Sequence, residues 1–169
     1  MADEAFTQMR VYRLVLDPNT NSPVVILQDE ATGVLLPIWI GFFEAHAIAM
    51  RLEDVEPSRP MTHDLLANLL GMLEALVPRV EVVDLVDNTY FARISITIKD
   101  KLHQLDSRPS DAIALAIRTG TPIFVADHVV EQSKIDPSLL QEEGPEDESE
   151  EDEWTRILKN FRPGGDKLN

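Results

Sequence analysis

Short β-type segments and short helical segments follow one another along the first 135 residues, and this alternation restricts the chain to a mixed fold. Alternating apolar and β-branched residues between turn-forming residues predict strands. The predicted strands cover residues 9–17, 24–28, 35–40, 80–86, 90–98, 102–105 and 123–125. Only turn sequences separate the first three, which indicates a meander. We expect a hairpin turn at residues 87–89.

Three main helices are predicted from apolar residues that repeat with helical spacing. The first has an apolar face formed by Ala45, Ile48, Ala49 and Leu52. The second begins with Thr62 as its N-cap, carries a leucine-rich stripe and is stopped by Pro78. The third has Pro109 in its first turn and stops at Gly120. Residues 129–135 are expected to add one further helical turn.

One segment of the chain resembles another that lies 67 positions later. Glu44–Arg51 and Asp111–Arg118 are both rich in Ala and Ile, begin with an acid and follow a short predicted strand. Two copies of a strand-helix-strand unit would explain the similarity. A chance likeness between two Ala- and Ile-rich helices is the alternative.

The distribution of charge separates a folded domain from the C-terminal segment. The net charge is −15, and residues 141–153 carry nine acids and no base. Such a run cannot bury enough apolar surface to fold. Apolar residues then return with helical spacing at Trp154, Ile157, Leu158 and Phe161. We divide the chain into a flexible N-terminus (1–8), a domain (9–135), a disordered acidic linker (136–153), a short amphipathic helix (154–162) and a disordered C-terminus (163–169).

The tail helix at residues 154–162 is too short to be stable by itself in water. We therefore expect it to dock on its own domain or on a partner subunit.

The composition also limits the compartment and the class of function. The chain has no cysteine and no apolar run of the roughly 20 residues that a membrane helix needs. We do not expect Met1-Ala2-Asp3-Glu4 to begin a signal peptide, because neither a basic region nor an apolar region follows. We therefore expect a cytoplasmic protein with no membrane association. A field of negative charge repels phosphate backbones, so nucleic-acid binding would require a local basic patch or a bridging cation.

Two polar clusters lie where a loop enters a predicted helix. They are Arg59-Pro60-Met61-Thr62-His63-Asp64 and Asp106-Ser107-Arg108-Pro109-Ser110-Asp111. Backbone N–H groups and the helix dipole favour anions at such places, and an arginine strengthens the attraction. Both clusters are therefore candidate sites for phosphate or carboxylate groups.

These clusters contain the residue types of metal-assisted hydrolysis. His63 beside Asp64 can act as a general acid or base, and Arg59 or Arg108 can stabilise developing charge. Carboxylates are ligands that Mg²⁺ and Mn²⁺ prefer, so either ion is a candidate cofactor. The candidate catalytic residues are His63, Asp64, Arg108 and Asp111. The candidate substrate-binding residues are Arg59, Thr62 and Ser110. The candidate metal ligands are Glu44 and Asp106. The alternative is structural: Thr62, Asp64, Ser110 and Asp111 stabilise helix starts, and the arginines fix loops.

The motifs resemble those of the bifunctional nuclease domain family over roughly residues 9–132. The resemblance is carried by Leu36–Gly41, Glu44–Ala49, Arg59-Pro60, Thr62–Leu65 and Asp106–Ala116. It implies an α+β fold of duplicated β-α-β-β units with curved mixed sheets. It also implies a homo-oligomer, with a dimer favoured, and nuclease activity on RNA and DNA, as described for plant relatives.

Three functions follow as hypotheses from the clusters, the resemblance and the tail. The first is a nuclease that hydrolyses phosphodiester bonds of RNA or DNA. The second is a non-catalytic homo-oligomeric regulator, or a protein that binds small anions such as phosphate or nucleotides. The third is a scaffold whose tail helix captures a partner.

Overall fold

The protein has a mixed sheet of seven strands and four helices, as described by a computed structural model for residues 5–17 and 19–135. The strands are β1 Phe6–Leu16, β2 Pro23–Gln28, β3 Leu35–Trp39, β4 Leu76–Val86, β5 Thr89–Ile98, β6 Lys101–Ser107 and β7 Ile123–Ala126. The helices are α1 Phe42–Leu52, α2 Thr62–Met72, α3 Pro109–Thr119 and α4 Asp127–Ser133. The predicted α+β class is confirmed.

The strands lie in the order β3-β2-β1-β7-β4-β5-β6. All neighbouring pairs are antiparallel except β4 and β7, which are parallel. The long strand β1 joins the two halves, because Phe6–Met9 pairs with β7 and Arg10–Leu16 pairs with β2. A register shift between Val11 and Arg13 lies just beyond this change of partner.

The two halves of the chain repeat one unit, a three-stranded meander followed by a helix. The first copy is β1-β2-β3-α1 and the second is β4-β5-β6-α3. Helices α1 and α3 are joined by hydrogen bonds from one arginine of each. Arg51, near the end of α1, donates to the Ile117 carbonyl at 3.4 Å, and Arg118, near the end of α3, donates to the Ala47 carbonyl at 3.0 Å.

Two predicted boundaries differ from the observed ones by three or more residues, and in both cases tertiary contacts override a local signal. Helix α2 ends at Met72 and β4 begins at Leu76, so Pro78 lies inside a strand. Pro78 falls in the register shift between Leu76 and Arg79, where a missing N–H is tolerated. Strand β1 begins at Phe6, earlier than residue 9, because its first residues pair with β7.

Several predicted local features are confirmed. The hairpin between β4 and β5 turns through Asp87 and Asn88, whose φ angles are 49° and 59°. Two positive φ values match the type I′ turn that suits a twisted hairpin. Pro109 occupies the first turn of α3, and Gly120 ends that helix with a φ of 67°.

The core lies between the sheet and the helices, and α3 is its central helix. Nearly every residue from Pro109 to Ala116 is buried. The largest fully buried side chains include Leu27, Leu36, Ile38, Ile48, Ile113 and Leu115. Because α3 is held on several sides, its first turn is a rigid platform for polar groups.

The remaining domain predictions fall outside this description. No helix within residues 5–17 and 19–135 is long and apolar enough to cross a membrane. The predicted acidic linker, tail helix and C-terminus lie outside the described residues, and the homo-oligomer stays a prediction.

Gly120→Ala is expected to destabilise the protein by about 1 kcal/mol, because the left-handed conformation at Gly120 disfavours any Cβ. A Cβ at Gly120 would contact nothing within 4 Å, so the effect isolates the backbone conformation. Urea denaturation measures this change in the free energy of unfolding.

Gly71→Ala is the matched control, because Gly71 lies in helix α2 and its Cβ would also meet open space. Alanine there should raise the free energy of unfolding by about 0.5 kcal/mol. Equal effects from the two substitutions would contradict the conformational argument.

Candidate active site

The first turns of three helices meet at one place in the structure. Each helix has an acid as its third residue: Glu44 in α1, Asp64 in α2 and Asp111 in α3. Hydrogen bonds join α1 to α3 and α2 to α3 through these first turns. The two polar clusters that the sequence singled out therefore lie side by side.

His63 and Asp111 form the contact between the two clusters. His63 Nε2 lies 3.0 Å from Asp111 Oδ1, although 48 residues separate them in the chain. The His63 side chain is only 12% exposed. If Nε2 carries the proton that Asp111 accepts, Nδ1 has a free lone pair, and Nδ1 has no hydrogen-bond partner among the described residues.

His63 and Asp64 are adjacent in the sequence, but the structure gives each a different partner. Adjacent residues of a helix point in directions about 100° apart, so His63 and Asp64 face different neighbours. His63 faces the start of α3, whereas Asp64 faces Arg118 near the end of the same helix.

Arg108 connects the acids of α1 and α3. Its Nε and Nη2 donate to Asp111 at 2.8 and 3.2 Å, and Nη1 lies 2.8 Å from Glu44. These contacts use three of the five N–H groups of a guanidinium, which leaves two among the described contacts. The Arg108 side chain is 65% exposed, so a ligand can reach these two groups.

Glu44 comes close to the chain at the start of α1 because residue 41 has no side chain. A Cβ at Gly41 would overlap the Glu44 carboxylate. The φ angle of Gly41 is −77°, which any residue adopts, so the requirement is for space. Gly41 thus allows the position from which Glu44 holds Arg108.

Contacts within the cluster shift the pKa values of Asp111 and Arg108. Burial acts to raise the pKa of Asp111, but hydrogen bonds from Arg108 and His63, together with their charges, bring it below the usual value. Hydrogen bonds to Asp111 and Glu44 raise the pKa of Arg108. Asp111 is therefore a carboxylate at neutral pH and acts as an acceptor.

Asp64 and Arg118 form a second pair, which fixes α2 to α3. Arg118 Nε donates to Asp64 Oδ1 at 2.6 Å, and the Met61 N–H donates to Oδ2 at 2.9 Å. The Arg118 side chain is only 6% exposed. Burial acts to raise the pKa of Asp64, but the bonds from Arg118 and Met61 lower it overall.

Sequence reasoning missed Arg118 as a member of this region. The available signal was the internal repeat, since both copies end in an arginine, Arg51 and Arg118. Only the structure reveals that the second arginine lies beneath the start of α2.

An open cavity of about 330 Å³ lies beside the Asp64–Arg118 pair. Its walls come from the end of α1, the loop that follows it and the first two turns of α2. His63, Arg108 and Asp111 do not line this cavity. The cavity is thus separate from the His63–Asp111 contact.

The structure places the other predicted residues outside this cluster. Arg59 and Thr62 are exposed, and Arg59 makes no ion pair within the described part of the chain. Thr62 is the first residue of α2, and Met61 occupies the N-cap position assigned to Thr62. Ser110 is buried, and Asp106 is exposed on β6 opposite Arg93.

The donor groups do not fit a preformed metal site. Among residues 5–17 and 19–135, no group of three or more His, Asp or Glu side chains is placed to hold an ion. Glu44 and Asp111 both pair with Arg108, whose positive charge opposes a cation at the same carboxylates. The described residues therefore offer no ready ligand set for Mg²⁺ or Mn²⁺.

The arrangement defines a class of protein: a duplicated α+β domain with a histidine, a carboxylate and an arginine gathered at converging helix starts. The sequence profile of the bifunctional nuclease domain matches residues 25–138. The chain belongs to the bifunctional nuclease domain family.

The relatives fall into bacterial and plant groups. An uncharacterized protein of Mycobacterium tuberculosis strain H37Rv is 35% identical over 162 residues, covering 92% of this chain and 95% of the relative. This match extends past residue 138. Bifunctional nuclease 2 of Arabidopsis thaliana is 30% identical over 108 residues, covering 62% of this chain and 33% of the relative. Bifunctional nuclease 1 of indica rice, Oryza sativa, is 26% identical over 119 residues, covering 69% of this chain and 36% of the relative.

Asp64→Asn is expected to reduce the free energy of unfolding at pH 7 by about 3 kcal/mol, because it leaves buried Arg118 without its counter-ion. Because the pKa of Asp64 is lowered on folding, its contribution is complete above the unfolded value of about 3.9 and is lost as pH falls through the folded value. Urea denaturation from pH 7 to pH 3 should therefore show the two proteins converging in acid.

Asp54→Asn serves as the control, because Asp54 forms an exposed ion pair with Arg51. It should leave stability within experimental error. An equally small effect of Asp64→Asn at pH 7 would show that the buried pair does not hold α2 in place.

Proposed function

We propose that the protein is a nuclease whose active site is the cluster of His63, Asp111, Arg108 and Glu44. The 3.0 Å contact between His63 and Asp111 carries the proposal, because it joins residues from two remote segments into a potential acid–base pair. Membership of the bifunctional nuclease domain family and the names of the plant relatives support phosphodiester hydrolysis.

In the proposed reaction, His63 is the general base. Asp111 accepts a hydrogen bond from the Nε2–H group of His63 and thereby orients the ring. The other ring nitrogen, Nδ1, then faces the substrate as a proton acceptor. Nδ1 takes a proton from water, the water oxygen forms a new bond to phosphorus, and the bond from phosphorus to the leaving oxygen breaks. A solvent water protonates the leaving alkoxide, and His63 later releases its proton to solvent.

Arg108 binds the phosphate and stabilises the transition state. Its two remaining N–H groups can donate to two non-bridging oxygens, on which negative charge increases as the new bond forms. Glu44 and Asp111 hold the guanidinium in one orientation. Glu44 is thus a positioning residue for Arg108.

Electrostatics decide whether an anionic substrate can approach this site. With neutral His63, two carboxylates and one guanidinium give the cluster a net charge of about −1. The three converging helix starts each contribute about +0.5 of a charge, which offsets this value. We therefore propose a single-stranded phosphodiester as the substrate, because it brings less negative charge to the site than a duplex does.

His63→Ala is expected to lower kcat for cleavage of a short RNA or single-stranded DNA about 10³-fold, because the general base is lost. Arg108→Lys should lower it about 10²-fold, because lysine cannot reproduce the fork of contacts. Fluorescently labelled oligonucleotides measure the rates, with and without EDTA.

His103→Ala is the matched control, because His103 is an exposed histidine on the edge strand β6. It should cleave at the wild-type rate. Activity that survives His63→Ala would assign cleavage to another site or to a contaminant. If the wild-type protein cleaves nothing and inorganic phosphate still raises its Tm in an Arg108-dependent way, the cluster binds anions without catalysis.

A further inference from the structure

Two exposed phenylalanines occupy the first turn of α1, the helix that carries Glu44. Phe42 is 54% exposed, and Phe43 is 78% exposed, more than any other aromatic residue in the described part of the chain. Phenylalanine is usually buried, because its ring contributes a large apolar area to a core. Adjacent exposed apolar side chains therefore indicate a surface that contacts another molecule.

Phe43 is linked to Arg108 by one peptide bond and one ion pair. The next residue, Glu44, lies 2.8 Å from Nη1 of Arg108. Consecutive Cα atoms are only about 3.8 Å apart, so the Phe43 backbone lies directly beside that of Glu44. This end of α1 is also fixed in the fold, because Ala45 is fully buried. An exposed ring thus borders the guanidinium that we assign to the phosphate.

A phosphate of a nucleic acid brings its bases with it. Any phosphate held by Arg108 is joined through its two sugars to flanking bases, so a base lies within one nucleotide of the guanidinium. The bases of a single strand have free flat faces, which stack readily on aromatic side chains. Stacking involves no net charge, so it adds affinity where the net charge of −15 opposes the phosphate backbone.

The two rings are not equivalent as stacking surfaces. Adjacent residues of a helix project about 100° apart, so one planar base cannot cover both rings. Phe43 is the more exposed of the two and directly precedes Glu44. Phe43 is therefore the better placed to receive a base from a strand held at Arg108.

We propose that Phe43 is a substrate-binding residue, on which an unpaired base of single-stranded RNA or DNA stacks while Arg108 holds a neighbouring phosphate. This assignment rests on the proposed function, because it places the strand at the Arg108 site. In a duplex, the neighbouring base pairs already cover the faces of each base. Selection of single strands would then have two sources, the lower charge of the strand and the free faces of its bases.

Binding of a fluorescently labelled single-stranded DNA separates base stacking from phosphate contacts. The parent protein carries His63→Ala, so that the strand is not cleaved, and fluorescence anisotropy gives Kd. The intact strand is compared with an abasic strand of the same length and charge. Phe43→Leu should raise Kd for the intact strand about tenfold and leave Kd for the abasic strand unchanged.

Two further variants separate the roles of the ring and the guanidinium. Phe43→Trp should bind the intact strand at least as tightly as the parent, because it keeps an aromatic ring. Arg108→Lys should weaken binding of both strands, because both contain the phosphate. Since Phe43 is mostly exposed, its replacement removes little buried area, and the domain should stay folded.

Tyr12→Leu is the matched control, because Tyr12 is an exposed aromatic residue on β1, outside the three helix starts. It should leave both Kd values unchanged. Far-UV circular dichroism verifies the fold of each variant, and sedimentation velocity gives its mass. An unchanged Kd of Phe43→Leu for the intact strand would overturn the assignment, and so would equal weakening for both strands. A dimer that Phe43→Leu converts to a monomer would also overturn it, because the ring would then contact a second copy.

Failure of the nuclease assignment gives a different result. If the wild-type protein binds the intact strand through Phe43 but cleaves nothing, the catalytic role of His63 is wrong and the stacking role of Phe43 is supported. If the wild-type protein binds neither strand, both assignments are wrong.

Discussion

Asp111 accepts hydrogen bonds from both His63 and Arg108, and the candidate site depends on this shared acceptor. The carboxylate sits in the first turn of α3, the most buried helix, so its position is fixed by the core. Without it, His63 loses its orienting partner and Arg108 keeps only Glu44. The guanidinium and the imidazole in turn hold the pKa of Asp111 low, so the acceptor remains ionised at neutral pH.

The repeated arrangement of a meander followed by a helix explains how one small domain gathers so many helix starts. Each half ends its meander with a helix that carries an acid in its first turn and an arginine in its last turn. When the two helices pack side by side, the acids meet at one end and the arginines cross-link the other. Helix α2, which has no counterpart in the first half, adds His63 to the end where the acids meet. Its Asp64 pairs with buried Arg118. One end is suited to chemistry and the other to stability.

Much of the fold could be predicted from the sequence, because strand alternation, helical spacing and the signals at Pro109 and Gly120 are local. The errors fell where distant contacts decide. Pro78 predicts the end of a helix, but the pairing of β4 with β5 on both sides of it places it inside a strand. His63 and Asp64 are adjacent in the sequence, yet helix geometry directs them to different partners, Asp111 and Arg118. Glu44 reads as a metal ligand, and the structure gives it Arg108 instead.

By itself, the sequence determined the α+β class, the family and the short list of polar residues that could carry chemistry. These follow from residue types and spacings within single elements, where each side chain's periodicity is fixed by its own backbone. Tertiary structure alone decided that two segments 48 residues apart meet at His63 and Asp111, and that Arg118 is buried beneath α2. The packing of α2 and α3 sets these partners, and that packing depends on burial of apolar surface from the whole chain, which no local pattern encodes.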